Sequence, residues 1–390
     1  MILYADNNAS TRVDPAIAAR MMHFLTEQYG NPNAAHRFGA AGLLEIENAR
    51  KSLARLINAQ PSEIIFTSGG TESVNAAIYG LLAAQPERRR LIVSRVEHHA
   101  VREVAEHCFE TAAGRAVEVV WLNVDRHGQP DLDQLSDALS PEDAARTAAV
   151  AVMLANNETG VIMPVAEIAK IAHSRGVPVF SDAVNALGKM PVDVAAVGAD
   201  IVSLSGHKVH APKGIGALYI RKGTPWLPHV LGGPQEQHRR GGTQNVAGIV
   251  GFGMACAQWL ECGDAYRESM KAVRDEFERG IAERFPDAEI IGKASPRLPN
   301  TTCVCFRGVS AEALLMLLSE AGACASSGSA CSSGAIETSP ILAAMGIEPE
   351  LAEGQIRVSW CRESTVDEAR RLLDLLEQAV PKAKNVLSMR

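Results

Sequence analysis

The sequence predicts an α/β protein, with a large domain on a mostly parallel seven-stranded sheet and a smaller α+β domain. Three observations predict it. Between about residues 60 and 220, seven short apolar runs rich in β-branched residues alternate with helical patterns. After about residue 257 that rhythm gives way to long amphipathic helical segments around one strand-like run. The chain has 390 residues, 47% hydrophobic and only 21% charged, which is enough to bury two cores.

The seven runs are, in order, "EIIFTS", "RLIVSR", "AVEVVWL", "AAVAVMLA", "VPVFSDA", "DIVSLS" and "GALYIR". Each is short and apolar on both faces, as strands covered by helices on both sides must be. Ligands of such sheets bind beyond the carboxyl ends of the strands. The second texture starts with "AYRESMKAVRDEFERGIAERF", an amphipathic helix. Strand-like "TTCVCFRG", helical "SAEALLMLLSEAG" and a closing helix at "STVDEARRLLDLLEQAV" follow. The expected division is 15–257 for the large domain, with 1–14 and 258–390 forming the smaller one.

Composition narrows the partners. The net charge is −7, and Lys and Arg are scattered apart from "RRR" at 88–90, which argues against a nucleic-acid footprint. The start "MILYADNNAS" lacks a leader pattern, and runs such as "AAVAVMLA" fall far short of the ~20 residues of a membrane span. A soluble cytoplasmic protein is expected, with neither nucleic acid nor membrane as partner. The eight cysteines form no CxxC pair and no disulfide framework, so reduced thiols are expected. Cys303 and Cys305 share a strand face by alternation. No second pair completes a metal site, and they read as core residues.

Several motifs fall at strand ends. "IIFTSGGTES" runs through Gly69, Gly70 and Thr71 into a helix whose free N–H groups and positive dipole end suit a phosphate. A plain tight turn is the competing reading. "VFSDAVNALGK" puts Asp182 at one strand end, and "IVSLSGHKVHAPKG" puts Ser205, His207 and Lys208 at the next. A surface ion pair would explain Asp182 and Lys208 alone. Together, a phosphate cradle, a carboxylate and a strand-end lysine are the three contacts pyridoxal phosphate needs: an anchor, a partner for the ring N–H and an amine for the aldehyde. His98 in "VEHHAV" is a candidate to stack on the ring, or an ordinary strand-end histidine.

The motifs "YADNNASTRVDP", "YGNPNAAHRFG", "FTSGGTES", "VEHHAV", "ANNETG", "SDAVNALGK", "SGHKVHAPKGIGALYIRKG", "RRGGTQNV" and "SSGSACSSG" run in order along nearly the whole chain. In this the sequence resembles the pyridoxal-phosphate cysteine desulfurases of the class-V aminotransferase family, which have the fold-type I architecture. The "SSGSACSSG" loop is similar to that of the nitrogen-fixation and iron–sulfur-cluster type, with "HKVHAPKG" and "RRGGTQNV" nearer the nitrogen-fixation branch. The resemblance implies that Lys208 carries the cofactor, Asp182 pairs with its ring nitrogen and His98 stacks on it. Gly70, Thr71, Ser205 and His207 would hold the phosphate, and Asn157 would sit near the ring oxygen and substrate. Thr243 would reach the cofactor phosphate of a second subunit, implying a homodimer. Arg357 would clamp the substrate carboxylate, and Asn8 would line the substrate pocket.

One departure concerns Asn185, which stands where the family usually has glutamine, one methylene longer. A lengthened or water-bridged contact to the cofactor is expected there. Pro234 in "GGPQEQ" also departs from the family's usual Gly or His but removes no expected ligand.

Cys331 lies among serines and glycines in "SSGSACSSG", where packing constrains a loop little. An incidental loop cysteine is the ordinary reading; the resemblance instead makes it the nucleophile that takes sulfur from L-cysteine, leaving L-alanine and a persulfide. That sulfur would pass to an iron–sulfur scaffold or other acceptor protein, with Cys331 passing sulfur to a cluster or ligating it transiently. Only a few per cent of a free thiol of pKa roughly 8.5 ionises at neutral pH, and His98 is a candidate to accept its proton. Cys324, seven residues earlier, follows an apolar run and is expected to pack at a strand. Alternatives are selenocysteine lysis, another pyridoxal-phosphate reaction on this fold, and a catalytically silent sulfur-transfer partner. Transamination gives no reason for the loop thiol, and intact Lys208, Asp182, His98 and Cys331 argue against the silent partner.

Overall fold

A computed structural model describes residues 2–111, 117–328 and 339–387. The described strands are β1 (Leu3–Tyr4), β2 (Ile64–Thr67), β3 (Arg90–Ser94), β4 (Glu118–Leu122), β5 (Thr147–Ala151) and β6 (Val179–Asp182). They continue with β7 (Ile201–Ser205), β8 (Gly216–Ile220), β9 (Ala288–Ile290), β10 (Thr301–Phe306), β11 (Ala323–Cys324) and β12 (Gln355–Ser359). The seven runs of the sequence form one seven-stranded sheet in the order β2-β8-β7-β6-β5-β3-β4.

Only β8 opposes its neighbours. It is antiparallel to both β2 and β7, while β7, β6, β5, β3 and β4 are parallel. Two reversals return β2 to the direction of the parallel set. Six carboxyl ends therefore share one edge of the sheet, the place where an α/β sheet binds its ligand.

Two cores lie on the faces of this sheet. One takes Ile64, Phe66, Ile92, Val150 and Val202; the other takes Ile65, Leu91, Val93, Ala149 and Ile201. The period-two split follows from side chains pointing alternately to either face. A further core joins Leu3 and Ala5 to Phe277, Val304, Ile356, Trp360 and the closing helix. There β10 pairs antiparallel with β9 and β12, and β1 pairs parallel with β11. Cys303 and Cys305 are fully buried among apolar residues, and no metal-binding group of His, Cys, Asp or Glu occurs among the described residues.

The helix expected from residue 265 begins far earlier, running unbroken over Val246–Arg284. Its first half, "VAGIVGFGMACAQWL", is glycine-rich, which weakens its helical signal in the sequence. Those small residues serve close packing: a Cβ on Gly253 would sit 2.4 Å from Cβ of Ala49 in helix Arg37–Leu56. By length and composition the helix could cross a membrane, but 61% of its most apolar window is buried inside the protein. It is a core helix, and it crosses the position where the sequence texture changes.

Candidate active site

The carboxyl ends of the strands surround a cavity of about 340 Å³. From β2 the chain turns into helix Gly70–Ala84, whose N-terminus brings Gly70 and Thr71 to the cavity. Gly70 has no room for a side chain, since a Cβ would meet Val184 Cγ2 at 2.8 Å. His98 follows β3 and opens helix His99–Thr111. Its Nδ1 accepts the Ala100 N–H at 3.0 Å, which fixes the neutral tautomer with the proton on Nε2. Burial lowers its pKa, and the pull of Asp182 does not offset this. His98 therefore offers a proton at Nε2 and has its Nδ1 lone pair engaged. The expectation that it takes the thiol's proton meets an imidazole arranged as a donor.

Asp182 ends β6, and Ser205 ends the adjacent β7. Oδ1 of Asp182 accepts from Val184 N at 2.8 Å and from Ser203 Oγ at 2.9 Å, which leaves Oδ2 for a ligand. The turn Gly206–Lys208 after β7 carries Lys208, whose ammonium donates to the carbonyls of Asn8 and Ala9. His207 lines the same wall; burial, with Lys208 and Lys213 nearby, pushes its pKa down to about 4, so it is neutral.

Arg357 on β12 enters from the other core. Its Nη2 pairs with Asp6 at 2.8 Å and its Nη1 donates to the Asn157 carbonyl at 3.3 Å. Three of its five N–H groups remain for a bound carboxylate. Asn8 lines the cavity, but its side chain is engaged within the protein. Nδ2 donates to Asn157 O and Thr301 Oγ1, and Oδ1 accepts from Lys189 and Asn300.

Among the described residues, five buried polar atoms of cavity-lining side chains have no hydrogen-bond partner: Ser205 Oγ, Asn157 Oδ1, Asn185 Nδ2, Arg357 Nε and Glu97 Oε2. Buried polar groups left in this way are rare unless a ligand takes them up. This set fits pyridoxal phosphate. Ser205 and the helix N-terminus suit its phosphate, Asp182 Oδ2 its ring N–H, and the Lys208 amine its aldehyde.

Two residues near the cavity escape sequence reasoning. Glu97 is fully buried, with Oε1 accepting the Met153 N–H at 2.6 Å and Oε2 without a partner among the described residues. Burial, reinforced by Asp182, raises its pKa well above the usual carboxyl range and keeps it protonated. Lys189 lies behind Asn8 and Asn185, 3% exposed. Neither is singled out by its residue type; a buried ionisable side chain in a polar motif is the signal, and only packing reveals it.

Thr243 is exposed, away from this chain's own cavity. Cys331 lies outside the described residues, but Gly328 and Pro340, on either side of its segment, both line the cavity. Cys324 is on β11, partly exposed.

The family model described as aminotransferase class-V matches residues 3–372. The chain is 43% identical over 383 residues to a cysteine desulfurase of Trichormus azollae, covering 98% of this chain and 94% of the relative. It is 42% identical over 385 residues to the cysteine desulfurase NifS of Azotobacter vinelandii, with the same coverage of both chains. Among solved structures, a NifS-like protein superposes with a TM-score of 0.87 at 35% identity, covering 100% of both chains.

Proposed function

We propose, since the chain belongs to the class-V aminotransferase family, that it is a pyridoxal-phosphate-dependent cysteine desulfurase. It converts L-cysteine to L-alanine and places the sulfur on Cys331 as a persulfide, for iron–sulfur cluster assembly. One observation carries this reading: Lys208, Asp182, His98 and Arg357 converge on one cavity whose described lining residues hold five buried polar atoms without a partner.

When bound, pyridoxal phosphate supplies an aldehyde that condenses reversibly with amines and a ring that withdraws electrons from the substrate's Cα. The chain's own residues supply the rest. Asp182, with Oδ1 engaged by Val184 N and Ser203 Oγ, would offer Oδ2 to a ring N–H. Arg357 holds the substrate carboxylate through its remaining N–H groups. Lys208, whose amine rests on two carbonyl oxygens, would hold the cofactor's aldehyde and carry the proton at the substrate's Cα. His98 closes one face of the site and offers a proton from Nε2. The Cys331 thiolate attacks the substrate sulfur: an S–S bond forms, the Cβ–S bond breaks with its electron pair going to carbon, and Cβ gains a proton.

Gly328 and Pro340 at the cavity support delivery of Cys331 to it. The free thiols of the described cysteines suit a reducing compartment, the cytoplasm. A homodimer is part of the reading. It is supported by the apolar side chains of Met22, Leu25, Tyr29, Leu44 and Leu231, all more than half exposed, and by Thr243 standing clear of its own cavity. The likeness to a cysteine desulfurase named NifS supports the nitrogen-fixation branch. The test is production of alanine and sulfide from L-cysteine with reductant, by wild type and by Cys331→Ala. Wild-type turnover with a variant that binds cofactor but is inactive is expected. Normal turnover by the variant would remove Cys331 from the mechanism.

A further inference from the structure

Asn185 and Lys189 lie four residues apart in the successive turns that follow β6, where Ala186 N and Leu187 N both donate to Ala183 O. The Lys189 side chain is buried, and its Nζ lies 2.5 Å from Asn185 Oδ1 and 3.0 Å from Asn8 Oδ1. Among the described residues those two amide oxygens are its hydrogen-bond partners, and neither belongs to an acid.

The orientation of these amides follows from donor chemistry. Asn8 cannot turn, because its Nδ2 already serves Asn157 O and Thr301 Oγ1 and its Oδ1 also accepts from Asn300. A lysine amine has at least two N–H donors in either protonation state, one for each oxygen. Burial, with Lys208 and Arg357 nearby, lowers the pKa of the Lys189 amine, and this leaves the donor count sufficient. With Oδ1 of Asn185 held, Nδ2 is left buried, without a partner among the described residues, in a residue that lines the cavity.

We propose that Lys189 is a positioning residue: by holding Oδ1 of Asn185 it aims Nδ2 into the cavity as a donor to an oxygen of the bound cofactor. Asn185 is thereby a shorter amide made directional from behind. Without Lys189, the amide can turn its oxygen inward and present an acceptor where a donor is needed. This inference rests on the pyridoxal-phosphate reading of the site.

The test is a double-mutant cycle on the dissociation constant of pyridoxal phosphate, read by absorbance titration of the protein stripped of cofactor, with the position of the visible band as a second readout. Lys189→Met and Asn185→Ala are each expected to weaken binding roughly tenfold, the effect of one lost hydrogen bond to a charged group. The double variant is expected to stay near tenfold, and both single variants to shift the band in the same direction. A roughly hundredfold loss in the double variant would mean independent effects and overturn the proposal. So would an unchanged constant in Lys189→Met. Should that variant fail to fold, Asn185→Asp decides, because a carboxylate pairs with Lys189 but has no N–H to give. Affinity matching Asn185→Ala supports the proposal, and wild-type affinity refutes it. Wild-type protein that binds no pyridoxal phosphate would overturn the desulfurase reading as well; an unaffected Lys189→Met with normal wild-type binding would overturn only the role of Lys189.

Discussion

Replacing Arg50 with methionine should destabilise the whole chain through a residue remote from the cavity. The guanidinium of Arg50 pairs with both oxygens of Glu236, at 2.7 and 3.0 Å, and also donates to Ile64 O at 3.0 Å. The two side chains are 5% and 1% exposed. Glu236 also accepts the Phe66 N–H at 3.0 Å, so the pair ties its loop to β2. That loop is strained: Glu236, Gln237 and His238 have φ of 48, 58 and 64°, a left-handed run without glycine. Each such residue costs about 1–2 kcal/mol, which the buried pair has to offset. Removing one partner of a buried pair costs about 3–5 kcal/mol, because the other charge stays buried and unpaired. An unfolding entropy of about 2.1 cal/mol/K per residue, over this length, converts that loss to a melting-point drop of about 4–6 °C. Arg50→Met/Glu236→Gln should recover most of it, since glutamine removes the stranded charge and still accepts from Phe66 N. The assay is calorimetry, with tryptic cleavage at Arg239 and Arg240 reporting on the loop. A drop below about 1 °C in Arg50→Met, or a double variant less stable than the single one, would refute the reasoning.

Two further outcomes follow from packing and burial. Glu97 has a raised folded-state pKa, so as pH rises above the ordinary value of 4.5 the unfolded chain ionises there first and the folded state loses stability relative to it. Glu97→Gln has no proton to lose; its stability relative to wild type should be unchanged by Glu97 ionisation below that pH and rise by about 1.4 kcal/mol per pH unit above it, until the folded carboxyl ionises. Denaturant unfolding at several pH values checks this, and a constant difference would show that Glu97 is not held protonated. Gly253→Ala would place a Cβ 2.4 Å from Ala49 Cβ, forcing the two helices apart. A loss of about 1–3 kcal/mol in the same unfolding experiment is expected, and a stabilised variant would mean that the helix gains more from alanine than the contact loses.

Much of the sheet was legible because each strand announces itself over five or six residues. "DIVSLS" and "GALYIR" have no other way to bury their branched side chains, and the polar residues that follow mark the ligand edge. The site was legible where chemistry is local: Asp182, Ser205 and Lys208 lie at the ends of adjacent strands, and adjacency in sequence became adjacency in space. The glycine-rich start of helix Val246–Arg284 was not, because helix propensity penalises the very glycines that close packing requires.

The sequence by itself determined the alternation of strands and helices, the polar motifs at the strand ends and the types of residue that meet a ligand, since period and turn chemistry are set by near neighbours. Only the tertiary structure decided which way β8 runs, that Arg50 meets Glu236 across 186 residues, and that His98 holds its proton on Nε2. It also decided that Glu97 stays protonated and that Lys189 stands behind Asn185. Strand pairing, desolvation and the orientation of an amide are energies between groups distant in the chain, and they acquire values only when the whole fold excludes water around them.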